Sequence, residues 1–171
     1  MKITFRPIRK TDLKYRFKWL NDPETTEFLG TRTRQGTDFD FHLRWYEKYK
    51  TDETRKIFMI LYDKKPIGQV GLTHIDQDDK NAELYIAIGE KEFRGKGIGQ
   101  RAVKFIIDYA FKTLKLHRIS LGCFEENVAG LKCYKKCGFV KEGLIREQFY
   151  KNGKYCNEVR MGLIAVFRDG C

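Results

Sequence analysis

The sequence has little proline and no long hydrophobic run. Its three prolines are scattered over 171 residues, and no Pro/Gly/Ser-rich tract divides the chain, so we expect one domain over residues 1–171. No apolar stretch approaches the roughly 18 residues that a membrane-spanning helix needs. The N-terminal segment "MKITFRPIRK" also lacks the apolar core of a signal peptide. These absences predict a cytoplasmic protein that makes no membrane contact.

Metal-ligand spacing is absent as well. The 5 cysteines match no zinc signature, and His42, His74 and His117 stand at no ligand spacing to one another or to a cysteine. We interpret the cysteines as reduced and packed as small apolar side chains. The sequence therefore predicts no metal site.

Negative charge is in the minority. The chain has 34 Lys and Arg against 23 Asp and Glu, a formal net charge of +11. Such an excess favours an anionic partner, which could be nucleic acid, acidic lipid or a phosphate-bearing small molecule. The basic residues are spread along the chain without a helix-turn-helix, RNP or zinc signature, so a nucleic-acid-binding module is kept as the non-enzymatic alternative.

The hydrophobic patterns predict an α/β fold with a mixed sheet. An alternating strand, "KITFRPI", is followed by three candidate helices, the first of which Thr11 or Asp12 is expected to cap. A β-hairpin, a strand, a glycine loop, a helix, a strand, a helix and a closing hairpin then follow. Since a single βαβ unit lies between antiparallel hairpins, the sheet should be mixed rather than all parallel.

The glycine loop "FRGKGIGQRA", residues 93–102, has no Ser, Thr, Asp or Asn placed to cap the helix that follows it. The first-turn N–H groups of that helix are therefore free, and the positive end of the helix dipole attracts anions. Glycine lets a ligand approach the backbone closely, while Arg94, Lys96 and Arg101 add positive charge. A diphosphate would suit this site.

Other readings of the loop are weaker. A glycine linker leaves the glycine spacing and the basic residues unexplained, and no Walker A phosphate loop occurs anywhere in the chain. Gly97, Gly99 and Ala102 match a dinucleotide fingerprint, with Glu125 or Glu126 placed as a ribose-binding acid. That motif requires a tight strand-to-helix turn and repeated βαβ units, which this chain lacks. An NAD-binding protein is kept as an alternative.

The loop and a later helix resemble the GNAT acetyltransferase superfamily. "RGKGIG", residues 94–99, matches the Q/R-x-x-G-x-G/A coenzyme A loop, and "NVAGLKCYKKCGF", residues 127–139, looks like the family's Asn, Tyr and Gly-Phe helix. "RPIRKTDL" and "EGLIREQFYKNGKYCNEVRMGLI" are similar to the Rim-type and spermidine N-acetyltransferase branches. The resemblance implies a mostly antiparallel mixed sheet with a central βαβ unit and flanking helices. It also implies acetyl transfer from acetyl-CoA to a primary amine, directly within a ternary complex.

The resemblance assigns roles to a set of cofactor-binding residues. Backbone groups of the strand before the loop would bind the pantetheine arm and polarise the thioester carbonyl. The loop would hold the pyrophosphate, and an asparagine would contact the pantetheine arm. The residues expected to bind acetyl-CoA are Ile86, Ala87, Ile88, Arg94, Gly95, Lys96, Gly97, Ile98, Gly99, Gln100 and Asn127.

The resemblance makes Tyr134 the general acid that protonates the leaving thiolate, with a core aromatic as the alternative. A tyrosine with a reference pKa of about 10 is protonated at neutral pH and can donate. Glu83 is the candidate base, directly or through water, and its alternative is a solvated strand residue. Glu125, Glu126 and His117 are weaker candidates.

The acceptor amine is the part of the function that the sequence determines least. Where the polyamine branch carries an acidic stretch, this chain has "GTRTRQGTDFDF", in which Arg32 and Arg34 would repel a polycation and Asp38 and Asp40 would offset them in part. We therefore expect an amine on an anionic scaffold, such as an amino sugar nucleotide, or a protein N-terminus. A spermidine-type polyamine is the alternative, and a homo-oligomer is left open.

Overall fold

The structure is a computed structural model that describes residues 2–29 and 36–166. Seven strands and five α-helices lie in these ranges, together with two short 3-10 helices and a π-helical turn, Tyr109–Thr113, after the fourth α-helix. The elements in chain order are β1 (Ile3–Pro7), α1 (Leu13–Leu20), α2 (Pro23–Thr26), α3 (Phe39–Tyr49), β2 (Lys56–Tyr62), β3 (Lys65–Asp76), β4 (Asn81–Ile88), α4 (Ile98–Asp108), β5 (Arg118–Phe124), α5 (Val128–Lys136), β6 (Val140–Lys151) and β7 (Lys154–Ile164). Each predicted strand and helix in these ranges is present.

All seven described strands join one sheet in the order β1-β2-β3-β4-β5-β7-β6. Every neighbouring pair in it is antiparallel except β4 and β5, which α4 connects as a βαβ crossover. The prediction of a mixed, mostly antiparallel sheet with one central βαβ unit is confirmed. No described helix combines the length and apolar character that crossing a bilayer requires.

The one parallel pair is joined over only part of its length. Register pairs link Asn81 with Arg118, Ala82 with Ile119 and Glu83 with Ser120, and the ladder then stops. From Leu84 onward β4 continues to Ile88 paired only with β3 on its other side. The two strands therefore part in the middle of the sheet and leave an opening whose apex lies at Glu83.

Each face of the sheet carries its own hydrophobic layer. On one face α4 and α5 cover the main core, to which β4 contributes Leu84, Ile86 and Ile88. On the other face aromatic side chains of α1 and α3 cover strand β2. Tyr85 lies in this second layer, as the alternation of side chains along a strand requires. The opening between β4 and β5 thus connects the α4/α5 face with the α1/α3 face.

The predicted cap of α1 is wrong in its detail. Asp12 precedes the helix, but its side chain makes no capping hydrogen bond to α1. Its carboxylate instead accepts hydrogen bonds from the Arg6 guanidinium, at 2.6 and 2.8 Å, and from the Arg9 backbone N–H at 2.8 Å. The Arg6 cation therefore compensates the buried negative charge of Asp12. Their hydrogen bonds link β1 to the residue that precedes α1.

Candidate active site

The glycine loop has a backbone that only glycine adopts readily. Gly95 has a φ of +73° and Gly97 a φ of +75°, and a Cβ at either position would meet no atom within 4 Å. The requirement for glycine there is conformational rather than steric. Gly97 stands at the N-cap of α4 and contributes no side-chain cap, as the sequence predicts.

The loop presents a run of unbonded amides. Among the described residues, no acceptor bonds the backbone N–H groups of residues 95–100, and the first bond of this turn runs from Arg101 N–H to the Gly97 carbonyl at 3.2 Å. These amides lie at the N-terminus of an 11-residue helix, where the helix dipole favours negative charge. The arrangement suits a diphosphate, as the sequence indicates.

The Arg94 side chain bonds neighbouring elements of the chain. Its Nε donates to the Ile88 carbonyl at 3.1 Å and its Nη2 to Thr25 Oγ1 at 2.9 Å, while its own backbone N–H bonds the Lys91 carbonyl. The Arg94 side chain therefore ties the loop to β4 and α2. The positive charge that we expect Arg94 to offer a phosphate stays a prediction, and these contacts add a role in shaping the loop.

The open edge of β4 leads from the apex to this loop. Ile86 and Ile88 point their side chains into the main core, and Ala87 points to the opposite face. The backbone of this stretch has no strand partner on the β5 side. Since the Ile88 carbonyl accepts the Arg94 bond, free edge groups are offered by the residues before Ile88.

The helix α5 brings Tyr134 into the main core on the α4 side. Tyr134 is 9% exposed and packs edge-on against Phe139 with ring centroids 6.1 Å apart. Its burial raises the pKa of the phenol well above its ordinary value, so the hydroxyl is protonated at neutral pH. No hydrogen bond to this hydroxyl occurs within residues 2–29 and 36–166. Tyr134 is thus a core aromatic, and its role as the proton donor to the thiolate stays a prediction.

Asn127 begins the same helix. Its Oδ1 accepts the Gly130 backbone N–H at 2.9 Å, so its side chain caps α5. A Cβ at Gly130 would lie 2.7 Å from Asn127 Nδ2, which shows how closely the amide packs on the first turn. The contact with pantetheine that the resemblance implies stays a prediction, and it would fall to the part of the side chain that the cap does not use.

Glu83 lies at the apex of the opening, as the last residue of the parallel ladder. Its Oε1 accepts from Arg160 Nη2 at 2.8 Å, and its Oε2 lies 3.2 Å from His74 Nδ1. Arg160 Nη1 in turn lies 3.7 Å from Glu158 Oε1 on β7. A line of alternating charges therefore crosses the apex on the α1/α3 face.

Glu158 and Arg160 are absent from the sequence prediction. Glu158 is 7% exposed, and a Cβ at Gly122 would lie 1.9 Å from its Oε1, so its carboxylate fills the space that the glycine leaves. Both charges alternate along β7 with the buried Val159 and Met161. That alternation was the available signal, because it marks a strand face that does not pack into the core.

The other acidic and histidine candidates are Glu125, Glu126 and His117. Glu125 Oε2 accepts from the Asn157 amide at 2.8 Å, Glu126 is exposed, and His117 directly precedes β5. Asp38 accepts the Phe41 backbone N–H and caps α3, so its charge serves the helix.

The remaining acceptor-site candidates are Asp40, Arg32 and Arg34. Asp40 is exposed in the first turn of α3, and Arg32 and Arg34 lie outside the described residues. Within the described ranges, no group of three His, Cys, Asp or Glu side chains could hold a metal ion.

The chain is similar to known proteins in sequence and in fold. Residues 2–140 match the family model described as an acetyltransferase (GNAT) domain, and the chain belongs to this family of acetyl-CoA-dependent N-acetyltransferases. It is 30% identical over 159 residues to a spermidine N(1)-acetyltransferase of Escherichia coli K12, covering 93% of this chain and 84% of the relative. It is also 30% identical to acetyltransferase PseH of Campylobacter jejuni over 136 residues, 80% of this chain and 82% of the relative.

The fold is shared with solved structures. The chain superposes with a TM-score of 0.90 on spermidine N-acetyltransferase from Vibrio cholerae in complex with CoA and spermine, at 30% identity and 95% coverage of both chains. The predicted family, fold class and acetyl-CoA co-substrate are confirmed. The chain is therefore assigned to this family rather than to the NAD-binding or nucleic-acid-binding alternatives.

Proposed function

We propose that residues 1–171 act as one domain that transfers acetyl directly from acetyl-CoA to a primary amine within a ternary complex. The observation that carries the proposal is the continuity between the unpaired edge of β4 and the free amides of residues 95–100. The amides would hold the diphosphate, and the edge from Ile86 to Ile88 would hold the pantetheine arm and polarise the thioester carbonyl. The reacting carbonyl would then lie in the opening, accessible to an amine from the α1/α3 face.

In the proposed reaction one side chain donates a proton and another accepts one. The neutral amine attacks the thioester carbonyl carbon, the C–N bond forms, and the C–S bond breaks as the tetrahedral intermediate collapses. The departing thiolate takes the phenolic proton of Tyr134, whose raised pKa keeps that proton in place before the reaction. Glu83, held by Arg160 at the apex, accepts the ammonium proton directly or through water. Tyr134 and Glu83 return to their starting states by exchange with solvent.

Two classes of acceptor have separate support. The names of similar proteins favour a polyamine, because both the Escherichia coli relative and the Vibrio cholerae structure are spermidine acetyltransferases. The net charge of +11 and the use of Asp38 as a helix cap favour an amine on an anionic scaffold, such as an amino sugar nucleotide, or a protein N-terminus. We place the anionic class first and keep the polyamine as the second candidate.

A homo-oligomer is part of the proposal. β6 is a 12-residue edge strand that exposes Val140, Leu144, Ile145 and Tyr150. Long apolar edge strands are surfaces on which further chains pair.

Initial-rate kinetics test the direct transfer. Acetyl-CoA and one amine are varied together, with spermidine, an amino sugar nucleotide and an N-terminal peptide as amines. Direct transfer gives intersecting double-reciprocal lines for each amine that is acetylated. Parallel lines would show an acetyl-enzyme intermediate and would contradict the proposal.

A further inference from the structure

Arg16 on α1 is a half-buried cation that lies against an aromatic ring. Its guanidinium lies flat on the indole of Trp45, with Cζ 3.7 Å from the ring centroid, and its Nη1 donates to Gln69 Oε1 at 3.3 Å. The Arg16 Nε is shut off from solvent and bonds no acceptor. Among the described residues no carboxylate pairs with Arg16, although a guanidinium offers five N–H donors.

An unpaired guanidinium in such a place is unfavourable. Burial lowers the pKa of Arg16, which expresses the cost of keeping the charge away from water. Buried charges in proteins are ordinarily matched by an opposite charge or by a full set of hydrogen bonds. In this chain Asp12, Glu90 and Glu158 are buried acids, and each has a cationic partner. Arg16 differs from them because its natural partner, an anion, is missing from the described chain.

Tyr85 adds a second unsatisfied group on the same sheet face. Its hydroxyl oxygen is shut off from solvent and has no hydrogen-bond partner among the described residues. The ring lies over Gly71, where a Cβ would come within 3.1 Å of the hydroxyl oxygen. Burial raises the pKa of this hydroxyl, and the Arg16 charge opposes that rise in part. Gln69 and Tyr85 belong to adjacent strands and are diagonal neighbours, since Tyr85 pairs with Gly71 and Gln69 pairs with Ala87.

The two groups lie beside the apex of the opening. Tyr85 and Glu83 are separated by one residue on β4, so their side chains emerge on the same face about 7 Å apart. Arg16 and Tyr85 are each half-buried as residues although the Arg16 Nε and the Tyr85 hydroxyl are shut off, so an anion would approach through the part of each side chain that stays exposed. An acceptor whose amine sits at Glu83 would place its next few atoms over Tyr85 and Arg16.

We propose that Arg16 and Tyr85, with Gln69, form a subsite for a carboxylate or phosphate carried by the acceptor, whose amine points to Glu83. The inference rests on the proposed function and names the acceptor class for that same site. The anion supplies the negative counter-charge for Arg16 and accepts a hydrogen bond from the Tyr85 hydroxyl. A polyamine would bring a second cation to Arg16, which is repulsive.

Matched small amines test the subsite. The full chain is saturated with CoA, and binding is measured by calorimetry with ω-amino acids of three to six carbons, alkylamines and α,ω-diamines of equal length. An ω-aminoalkylphosphonate series distinguishes phosphate-like from carboxylate recognition. We expect one length of the anionic series to bind at least 10-fold more tightly than its matched alkylamine and diamine. Equal binding of the three classes, or tighter binding of the diamine, would overturn the proposal, and so would the absence of binding by any anionic probe.

Variants then assign the preference to its residues. Arg16→Gln should abolish the 10-fold preference, and Tyr85→Phe should reduce it while leaving the melting temperature of the ligand-free chain unchanged or higher, since it removes an unpaired buried hydroxyl. Arg44→Gln is the matched control, because Arg44 is exposed on α3 and its ion pair within the described part of the chain is with Asp38, at 3.9 Å. If an ordered water alone satisfies Arg16 and Tyr85, the preference is absent from the wild type or survives Arg16→Gln, and the proposal fails.

A separate readout isolates the failure of the proposed function. Acetyl-CoA binding by Arg16→Gln should equal that of the wild type, because the glycine loop lies outside the subsite. If the wild type bound anionic amines but acetylated no amine, the proposed function would fail while the subsite stood. If it acetylated neutral amines and spermidine as well as anionic ones, the subsite would fail while the proposed function stood.

Discussion

The Arg94 guanidinium donates from Nε to the Ile88 carbonyl at 3.1 Å. This bond joins the first residue of the glycine motif to the last residue of β4, so the glycine loop and the open edge of β4 are held in one geometry. The arginine side chain therefore helps to position the loop amides. Two further contacts, to Thr25 and Glu24, extend the connection to α2.

Replacing Arg94 should loosen the loop and weaken cofactor binding. Hydrogen bonds to a charged group contribute about 1.5–3 kcal/mol, so Arg94→Gln should raise the acetyl-CoA Kd about 10-fold or more. Calorimetric titration measures it, with Arg44→Gln as the control that should leave the Kd unchanged. An unaltered Kd for Arg94→Gln would remove the positioning role.

Two glycines of the loop should respond differently to alanine. Gly97 has a φ of +75°, so Gly97→Ala should cost about 1–2 kcal/mol of backbone strain and lower both stability and acetyl-CoA affinity. Gly99 lies inside α4, where a Cβ would meet only Cys133 Sγ at 3.8 Å. Gly99→Ala should therefore keep the melting temperature, yet weaken acetyl-CoA binding, since its methyl group would stand among the free amides.

Thermal unfolding with and without acetyl-CoA measures both effects. If Gly99→Ala bound acetyl-CoA as well as the wild type, the diphosphate would not sit on these amides.

Removing the candidate base should slow the reaction without affecting the cofactor. General base catalysis contributes typically about 10²–10⁴-fold, so Glu83→Gln should lower kcat/KM for the amine by about 10²-fold and leave the acetyl-CoA Kd unchanged. Glu126→Gln is the matched control, because Glu126 is exposed beyond the end of β5. A rise in the rate of Glu83→Gln with pH as the amine deprotonates in solution would support the role; equal rates for both variants would exclude it.

His42 should make stability depend on pH. Its burial, with a smaller contribution from the Arg16 charge, lowers its pKa to about 4, while the unfolded chain has the ordinary value of about 6.5. The unfolded state therefore binds the proton first, and stability should fall as pH drops from about 6.5 toward 4, by up to about 1.4 kcal/mol per pH unit.

Urea unfolding between pH 7 and pH 5 measures this slope. His42→Gln should flatten it and the exposed His74→Gln should not. A slope that survives His42→Gln would assign the proton to another group.

The sequence was sufficient for the order of elements and for the loop. Hydrophobic alternation predicts the strands, and the missing cap before Ile98 predicts the free amides that the structure shows. These signals are local, because they depend on neighbours in the chain. The resemblance supplied the family and the roles proposed for Tyr134 and Asn127.

What the sequence could not predict depends on distant partners. The bonds of Arg94 to Ile88, and to Thr25, which lies far from it in the sequence, have no local signal. Asp12 reads as a helix cap, yet the folded chain pairs it with Arg6 across a turn. Which acceptor a long side chain bonds is decided only once the sheet has formed, and the periodicity of the sequence does not reveal it.

The same limit hid two groups on the α1/α3 face. Glu158 and Arg160 belong to β7 at the end of the chain, and only the sheet order places them beside Glu83. Arg16 lies in an ordinary amphipathic helix, where an arginine reads as solvated. Its lack of an acid is visible only when every neighbour is known.

The kinetics of Tyr134→Phe test the central claim most directly. The hydroxyl bonds no described residue and its ring is packed against Phe139, so the variant should keep the fold and the acetyl-CoA Kd. Without the phenolic proton the thiolate must leave unprotonated, and kcat for a reactive amine should fall by about 10²-fold or more. A Kd within twofold of the wild type together with that loss of kcat is the result the account predicts. An unchanged kcat would contradict it and leave Tyr134 a core aromatic alone.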